Sequence, residues 1–411
     1  MTAIHAFRRI LVVEPQCRGF EHVPFNAALL DTVGRAFSGA RIWFHGENQH
    51  IEGVGATLGW HGRAREEIVL VATEVPPRDL VGWRRLWPEF QCLSRWRHVI
   101  RDVGADLVIF SSITDTGLIA LKCALWARLT HTPVLAVVHG ALETVLTEPP
   151  SQVWNRATSM TSALSLPNPR QLRYMALGDS IVLALLGWRK AIAKQFLAID
   201  HPYLFPPAAF SQARAHGPCR FGFFGVSSKP GFVDFAQLAR SVSGDQPEAE
   251  FLLVGHIKQP VGVHSLPGIA APATEPLTAN EYARLASRLT FAIGLAGPES
   301  YRLSASASFL DSLAYATPGI FVRNPYVECY FERMGDIGYL CRSGEEVETV
   351  VRGILERFPT ERYERQRQRI LEKRDLFAPT NVAPHLGAQV GCWLQGQPEQ
   401  DGSGRFGSKH P

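Results

Sequence analysis

The chain has 411 residues, more than one hydrophobic core usually supports, so we expect two domains of about 150–200 residues each. Hydrophobic residues make up 46% and charged residues 19%, a composition that is typical of a globular protein and excludes a mainly disordered one. The net charge of +4 permits phosphate-bearing ligands or an anionic membrane surface as partners. It is too small for the basic surface of a nucleic-acid-binding protein.

In the first half of the chain, short apolar runs alternate with longer helical patterns. Several of the runs are continuously apolar, as expected for parallel strands that are covered on both faces. This alternation predicts an open parallel sheet. We predict strands at residues 9–13, 40–44, 68–72, 107–110, 134–138 and 180–185, and helices at residues 26–37, 83–103, 117–128 and 187–196.

A proline-rich stretch at residues 201–218 interrupts this pattern, and we interpret it as an interdomain linker. A second strand–helix series follows it and predicts a second Rossmann-like half. The expected strands are at residues 220–224, 250–254, 291–294, 319–322 and 338–340, and the expected helices are at 232–241, 278–286, 308–315, 345–358 and 361–376. The domains are therefore expected at residues 1–205 and 206–376, with a helix at 377–394 that crosses back to the first domain and a disordered tail at 395–411.

The segment at residues 298–311 gives the strongest indication of a ligand site, because it follows a strand and opens a helix. A helix N-terminus offers unpaired N–H groups and a positive dipole end to a diphosphate. Arg302 can bind a phosphate in bidentate fashion. An ordinary serine-capped helix start is the alternative interpretation. Further hydroxyl donors are Ser304, Ser306 and Ser308.

Two charged residues extend this site. Asp311 lies one turn into the same helix, where its carboxylate can accept hydrogen bonds from ribose hydroxyls. Lys229 follows a strand in a turn that leads to a helix, the place where open α/β sheets bind ligands. Its amine can neutralise phosphate charge there, and a solvent-exposed turn lysine is the alternative.

Polar residues also follow two strands of the first half. His139 emerges from a buried strand and can bind the transferred group or the leaving phosphate, or move a proton. A histidine that only holds its loop by hydrogen bonds is the alternative. Gly19, Glu21 and His22 lie between the first strand and the first helix, where Gly19 permits a close turn. Glu21 is equally well explained as an acidic residue at a helix N-terminus.

Aromatic and basic residues alternate through residues 83–101. A surface of this kind can lie against an anionic membrane. The alternative is a crossover helix that packs an apolar stripe on the sheet and keeps its arginines in solvent. The arginines are Arg84, Arg85, Arg95, Arg97 and Arg101.

Other chemistries lack their motifs in this sequence. There is no GxGxxG after the first strand, and there is no Walker A, HExxH or GxSxG. The fourteen histidines and seven widely spaced cysteines show no metal-ligand spacing, and no CxxC is present. We expect no metal and no cofactor. We predict a cytoplasmic location from three features. The cysteines show no disulfide pattern, the N-terminal apolar run is too short for a signal peptide, and no apolar stretch is long enough to span a membrane.

Residues 308–320 (SFLDSLAYATPGI) resemble a motif of the GT-B glycosyltransferases, especially the retaining group 1 type that includes bacterial polysaccharide and lipid-linked sugar transferases. The resemblance implies an α/β fold of two Rossmann-like domains whose parallel sheets face a cleft. Asp311 falls where the family has the second of two glutamates, the one that holds the ribose. His139 matches a histidine after a central strand of the family's first domain. Weaker similarity is found at residues 19–23, 179–181 and 252–255.

The sequence departs from the family pattern in the same region. The family usually has two glutamates eight residues apart, but Leu303 stands eight residues before Asp311. Glu299 fits the first glutamate only if this loop is four residues longer. Val226 replaces the family's arginine after the first glycine of the second domain, which leaves Lys229 for the basic pair.

The resemblance implies transfer of a sugar from a nucleotide sugar to an acceptor, with retained anomeric configuration and without a metal ion. Lys229, Arg302 and the helix N-terminus near Ser308 would stabilise the leaving diphosphate, while His139 and Glu299 would hold the sugar. The implied acceptor is a glycan or lipid-linked intermediate of exopolysaccharide biosynthesis, met at the cytoplasmic face of a membrane. The alternatives are a sugar-nucleotide epimerase of the same architecture and a non-catalytic partner protein with this fold.

Overall fold

The structure is a computed structural model that describes residues 7–63, 66–77, 79–127, 130–147, 151–206, 218–258, 268–270 and 272–396. Two parallel β-sheets, each flanked by helices, form successive halves of the chain. The predicted α/β class with two parallel sheets is thereby confirmed. Within the described ranges, no helix is both long and apolar enough to cross a bilayer.

The first sheet has seven parallel strands in the order β3-β2-β1-β4-β5-β6-β7. The central strand β1 is buried from Ile10 onwards, with Val12 opposite Phe44 of one neighbour and Ile109 of the other. Burial on both faces explains why the central strands are continuously apolar. The strands are β1 (Arg9–Val13), β2 (Arg41–Gly46), β3 (Ile68–Ala72), β4 (Leu107–Phe110), β5 (Val134–Val137), β6 (Leu172–Ala176) and β7 (Phe196–Ala198).

Helices connect these strands and cover the sheet. Loop segments after β1 and β5, together with a 3₁₀ helix at Gly140–Leu146, lie at the carboxyl edge of the sheet. The helices of this half are α1 (Val23–Ala36), α2 (Asn48–Trp60), α3 (Trp83–Val103), α4 (Asp115–Trp126), α5 (Val153–Ala157), α6 (Met160–Ser165) and α7 (Asp179–Ala193).

The strand predicted at residues 180–185 is wrong, because this run lies in α7. Ile181 and Leu185 are buried one helical turn apart, while Leu183 is 50% exposed. A short apolar run cannot distinguish a strand from the start of a half-buried helix. The true sixth and seventh strands, β6 and β7, were not predicted, nor was the glycine-containing helix α2.

The second sheet has six parallel strands in the order β10-β9-β8-β11-β12-β13. Phenylalanines from its central strands stack in the core, with the rings of Phe221 and Phe251 5.4 Å apart. The strands are β8 (Arg220–Phe224), β9 (Glu250–Val254), β10 (Ile269–Ala270), β11 (Phe291–Gly294), β12 (Gly319–Val322) and β13 (Gly338–Cys341). The helices are α8 (Phe232–Asp245), α9 (Ala279–Ala286), α10 (Ala307–Ala314), α11 (Pro325–Met334), α12 (Gly344–Glu356) and α13 (Thr360–Lys373).

The last helix, α14 (Pro379–Leu394), returns to the first half and packs against α1. Val382, Leu386 and Val390 recur every fourth residue and are buried in the same cluster as the α1 side chains. Gln389 donates a hydrogen bond from Nε2 to the carbonyl of Ala198 at 3.2 Å. Of the predicted tail, residues 397–411 lie outside the described residues.

The described part of the predicted linker, residues 201–206, packs between the two halves. Just before it, Asp200 accepts a hydrogen bond from the Tyr330 hydroxyl at 2.7 Å and forms a bidentate ion pair with Arg333 of α11. Tyr203 donates its backbone N–H to the carbonyl of Phe377 at 2.8 Å. Residues 207–217 lie outside the described residues.

Candidate functional site

Loops from the carboxyl edges of both sheets meet between the two halves. The first half contributes the loops after β1 and β5 and the start of the linker, and the second half contributes the loops after β8 and β11. In open α/β sheets this edge is where ligands bind, because the strand ends diverge and leave a crevice. The candidate site is built from these loops.

Glu14 follows β1 directly, and its carboxylate is completely buried. Burial alone would raise the pKa of Glu14, but the hydrogen bonds from Asn26 and Ser112 outweigh it, so that the pKa lies below its usual value. The group is therefore a buried anion held by donors. These donors are the backbone N–H groups of Gln16 and Cys17 (both 3.1 Å), Asn26 Nδ2 (3.0 Å), the Ser111 hydroxyl (3.0 Å) and the Ser112 hydroxyl.

The Glu14 network continues to the loop that carries the candidate residues of the first half. Asn26 Nδ2 lies 2.8 Å from His50 Nε2, and His50 Nδ1 lies 3.1 Å from the carbonyl oxygen of Gly19. Glu47 accepts hydrogen bonds from the backbone N–H of Gly19 at 3.1 Å and of His50 at 2.9 Å. The loop is thus fixed in a left-handed turn at Gly19, with φ of 53°.

Sequence reasoning missed four members of this network: Glu14, Asn26, Glu47 and His50. An acidic residue directly after a fully buried strand was the available signal for Glu14, since such a carboxylate needs partners nearby. The other three lie in α1, before α2 and in α2, and nothing in their spacing relates them to one another.

Three histidines gather beside this loop. The ring of His22 lies 4.7 Å from that of His139, which is stacked on Phe25 at 5.4 Å and lies 5.8 Å from His201. Burial lowers the pKa of all three histidines. Among the described residues, the buried Nδ1 atoms of His22 and His139 have no hydrogen-bond partner. Unpaired buried polar atoms at a cleft indicate groups that hydrogen bond to a bound ligand or to water.

Because burial lowers the pKa of His201 to about 4, the stability of the protein should fall in mild acid. The unfolded histidine has a pKa of about 6.5 and binds more protons than the folded one between these values, so stability rises with pH there. Replacing His201 by Phe keeps a ring against Phe25 and removes the titration. We expect the loss of unfolding free energy between pH 7 and 5, measured by urea denaturation, to be about 2 kcal/mol smaller in His201→Phe. His131→Phe, at an exposed position, should lose as much unfolding free energy between pH 7 and 5 as the wild type. If the wild type and both variants lose the same amount, His201 does not cause the pH dependence.

Lys229 and Asp311 form the charged part of the site in the second half. Both side chains are partly exposed, and each carries a charge that acts on the other. Burial lowers the pKa of Lys229 and raises that of Asp311, and in each case the partner opposes the shift. Gly225 makes room for the lysine, because a Cβ at this position would lie 2.8 Å from Lys229 Nζ.

Asp311 also accepts hydrogen bonds from two tyrosines. The hydroxyl of Tyr203, from the linker, donates to Asp311 Oδ1 at 2.5 Å, and the hydroxyl of Tyr282 is a second donor. A carboxylate has about four acceptor positions, so two of them remain for a ligand. Sequence reasoning placed the aspartate at the site and missed both tyrosines.

The serines predicted to bind phosphate are engaged within the protein. Ser306 is the N-cap of α10 and accepts a hydrogen bond from the N–H of Phe309 at 3.4 Å, while its hydroxyl lies 3.1 Å from that of Ser308. The hydroxyl of Tyr301, a residue with left-handed φ of 56°, bonds to both serines. The serine-capped helix start that the sequence allowed as an alternative is present in the structure.

Glu299 and Arg302 were predicted to hold the sugar and the diphosphate, but the structure pairs them with each other. Their side chains lie 2.9 Å apart and are 86% and 41% exposed. Leu303, which follows Arg302, is fully buried in the hydrophobic cluster of the first half, which also contains Leu142. Leu303 thus faces the core, while Glu299 and Arg302 of the same loop face solvent.

Glu143 brings a carboxylate to this loop from the opposite half. It lies in the 3₁₀ helix after β5, and its Oε1 accepts hydrogen bonds from the backbone N–H of Leu303 and the hydroxyl of Ser304, both at 2.9 Å. The remaining first-half candidate, Glu21, lies 3.8 Å from Lys258 Nζ of the second half. The two halves are therefore joined by polar contacts on both sides of the site.

The arrangement suits an anionic ligand that also carries hydroxyl groups. A lysine offers positive charge, an aspartate offers acceptor positions, and two imidazoles offer unpaired ring nitrogens. Among the described residues no group of three or more histidine, cysteine or acidic side chains is arranged to hold a metal ion. Lys229 and the N-terminus of α10 supply positive charge at this site.

No protein-family model matches the chain, and no curated protein matches it in sequence. Solved structures match it in fold over nearly their whole length. The Anabaena protein Alr3699/HepE, solved in complex with UDP, is 12% identical, with 93% of this chain and 99% of that chain covered and a TM-score of 0.60. A trehalose-phosphate synthase from Burkholderia vietnamiensis is 10% identical, covering 95% and 99%, with a TM-score of 0.61.

A third similar structure, a putative UDP-N-acetylglucosamine 2-epimerase from Listeria monocytogenes, is 11% identical, covering 95% of this chain and 97% of that chain, with a TM-score of 0.52. Likeness at this level of identity shows the fold alone. The chain has the GT-B fold, two Rossmann-like domains with parallel sheets on either side of a cleft.

Proposed function

We propose that this protein is a glycosyltransferase that moves a sugar from a nucleoside-diphosphate sugar to an acceptor in the cleft. The observation that carries the proposal is the facing arrangement of charged and unpaired groups. Lys229 and Asp311 lie on one side, and the buried, unpartnered Nδ1 atoms of His22 and His139 lie on the other. The charge of Lys229 also acts on His22, so the two sides are close enough to share one ligand.

Each group has a role in such a transfer. As the bond between the sugar and the diphosphate breaks, negative charge grows on the leaving oxygen, and Lys229 with the N-terminus of α10 stabilises it. Asp311 accepts the ribose hydroxyls at the positions that Tyr203 and Tyr282 leave open. The rings of His22 and His139 hydrogen bond to the sugar. The donor is a substrate, and no further cofactor is required.

The similar structures support the choice of ligand. HepE was solved with UDP, with UDP and glucose, and with UDP-glucose, and the synthase is described as UDP-forming. A uridine nucleotide is therefore the first donor to test. Three parts of the proposal rest on the sequence resemblance: retention of configuration, a glycan or lipid-linked acceptor, and a role in exopolysaccharide biosynthesis. A cytoplasmic location is also proposed, from the cysteine usage and the apolar pattern of the sequence.

A sugar-nucleotide epimerase is the second candidate, because the Listeria protein described as a UDP-N-acetylglucosamine 2-epimerase shares the fold. The two activities differ in their need for an acceptor. Incubation of the purified protein with UDP-sugars alone, followed by NMR of the sugar, distinguishes them. Epimer formation without an acceptor would replace the transferase proposal by the epimerase one.

The direct test of the proposal is a thermal-shift screen of nucleoside diphosphates and their sugars. A ligand that binds only the folded state at 100 times its Kd stabilises the protein by about 2.7 kcal/mol. We expect a uridine diphosphate to raise Tm and the matching monophosphate to raise it less. A screen in which no nucleoside diphosphate changes Tm at millimolar concentration contradicts the proposal.

The two glutamates of this region should differ in their effect on donor binding. Glu143→Ala removes the acceptor of two hydrogen bonds, from the Leu303 backbone N–H and the Ser304 hydroxyl, whereas Glu299→Ala removes only an exposed partner of Arg302. Two hydrogen bonds of modest net strength correspond to a loss of donor affinity of about tenfold for Glu143→Ala. We expect less than about twofold for Glu299→Ala. Titration calorimetry with UDP-glucose, which carries the sugar that Glu299 was predicted to hold, measures both losses. A larger loss for Glu299→Ala than for Glu143→Ala would support the predicted role of Glu299.

A further inference from the structure

Five large apolar side chains are exposed together on the first half. Their exposed fractions are 69% for Val81, 55% for Trp83, 68% for Trp87, 76% for Val153 and 70% for Trp154. We call these residues the tryptophan patch. Tryptophan is highly buried on average, and a contiguous exposed apolar surface usually marks a site of interaction.

The topology of the sheet explains why these residues meet. α3 begins after β3 and α5 begins after β5, and both strand ends lie at the carboxyl edge of the same parallel sheet. Gly82, with φ of 56°, joins the two segments, because a Cβ at this position would lie 2.3 Å from Asn155 Oδ1. The start of α3 and the short helix α5 therefore lie side by side, on the edge of the sheet that also carries His22 and His139.

Packing of α3 on the sheet does not account for the patch. The buried side chains of this helix lie further along it and include Leu93, Trp96 and Ile100. Trp83 and Trp87 lie in the first two turns of α3 and share a face at i and i+4, exposed to solvent. The crossover-helix interpretation thus describes the buried side of α3, where Leu86 and Phe90 also pack against the core, but it does not explain the exposure of Trp83 and Trp87.

Basic residues accompany the aromatic ones. Arg84 is exposed, with its guanidinium carbon 5.9 Å from the centre of the Trp83 ring, and Arg156 is exposed in α5. Arg85 is neutralised by Glu89 at 2.8 Å, and Asp79 is the exposed acid nearest in sequence. The two exposed arginines add positive charge beside the tryptophans. Tryptophan with adjacent arginine is typical of surfaces that lie in the headgroup region of an anionic bilayer.

We propose that the tryptophan patch binds the surface of an anionic phospholipid membrane, with Trp83, Trp87 and Trp154 in the headgroup region and Arg84 and Arg156 against lipid phosphates. The patch shares the sheet edge of the candidate site, so binding brings the first-half side of the cleft to the membrane. A lipid-linked acceptor can then enter the cleft from the bilayer. This last step rests on the proposed glycosyltransferase function, whereas membrane binding itself does not.

Cosedimentation with vesicles tests the proposal on the full-length protein. The vesicles are phosphatidylcholine alone or phosphatidylcholine with phosphatidylglycerol, and the variants are Trp87→Ser combined with Trp154→Ser, and Arg84→Gln. We expect the wild type to bind the anionic vesicles preferentially, and the double variant to lose at least about tenfold in partitioning because two apolar side chains no longer leave water. Arg84→Gln should weaken binding to anionic vesicles only, and salt should weaken binding by the wild type.

Trp126→Ser is the matched control, because Trp126 is 44% exposed at the end of α4, on the opposite edge of the sheet. It should bind vesicles as the wild type does. The proposal is overturned if the wild type ignores anionic vesicles, if the double variant binds them normally, or if light scattering shows a wild-type dimer that the double variant loses. UDP binding by the double variant should be unchanged. If the wild type binds vesicles but no nucleotide, the proposed glycosyltransferase function is rejected and the proposed membrane binding by the tryptophan patch still holds.

Discussion

Replacing Lys229 by Met is expected to weaken the binding of a nucleoside diphosphate about 100-fold. A hydrogen bond to a charged group contributes about 1.5–3 kcal/mol, and the upper part of this range corresponds to two orders of magnitude in Kd. Lys229 is held over Gly225 beside Asp311, so its amine is already positioned when the ligand arrives. Titration calorimetry with UDP measures the change.

The fold should survive this substitution, because Tyr203 and Tyr282 continue to donate hydrogen bonds to Asp311. Unchanged far-UV circular dichroism and a small change in Tm would show this. Lys194→Met, at an exposed position after α7, is the matched control and should bind UDP as the wild type does. If Lys229→Met binds UDP normally, the lysine does not contact the diphosphate. A normal cellular phenotype for a variant that has lost UDP binding would favour the non-catalytic partner protein.

Replacing Glu14 by Ala is expected to lower the free energy of unfolding by about 3–5 kcal/mol. The substitution removes the shared acceptor of five donors, and each donor left unsatisfied in the core costs about 1–3 kcal/mol, with incomplete additivity. Urea denaturation at pH 7 measures the loss. Since the pKa of Glu14 is lowered in the folded state, its contribution is present above the unfolded pKa and is lost as pH falls through the folded value.

Glu52→Ala provides the control, because Glu52 is an exposed acid of α2 close to the same network in sequence. We expect it to change the unfolding free energy by less than about 0.5 kcal/mol. A loss below about 1 kcal/mol for Glu14→Ala would show that water replaces the missing carboxylate. The same variant should also release the Gly19–His22 loop, which faster amide exchange at Gly19 would reveal, since its N–H donates to Glu47 of the network.

Local sequence was sufficient for most of the two sheets. Strands such as β4 and β9 were predicted at their observed bounds, because burial on both faces requires a continuous apolar run whatever the neighbouring strands are. The same rule failed at residues 180–185, where an apolar run belongs to a half-buried helix. It also missed β7, since three residues are too few to show a pattern.

The sequence by itself determined the fold class and the position of several polar residues after strands, because the strands of a parallel sheet follow from local patterns, although it did not single out Glu14. His22, His139 and Lys229 were found in this way. Only the tertiary structure decided their partners. Tyr203 is 108 residues from Asp311, and Glu143 is 160 residues from the backbone N–H of Leu303 that it holds. Such contacts depend on how the two sheets dock across the cleft, and no local pattern encodes that geometry. For the same reason the sequence did not show that Glu299 and Arg302, close to the site along the chain, are exposed and pair with each other.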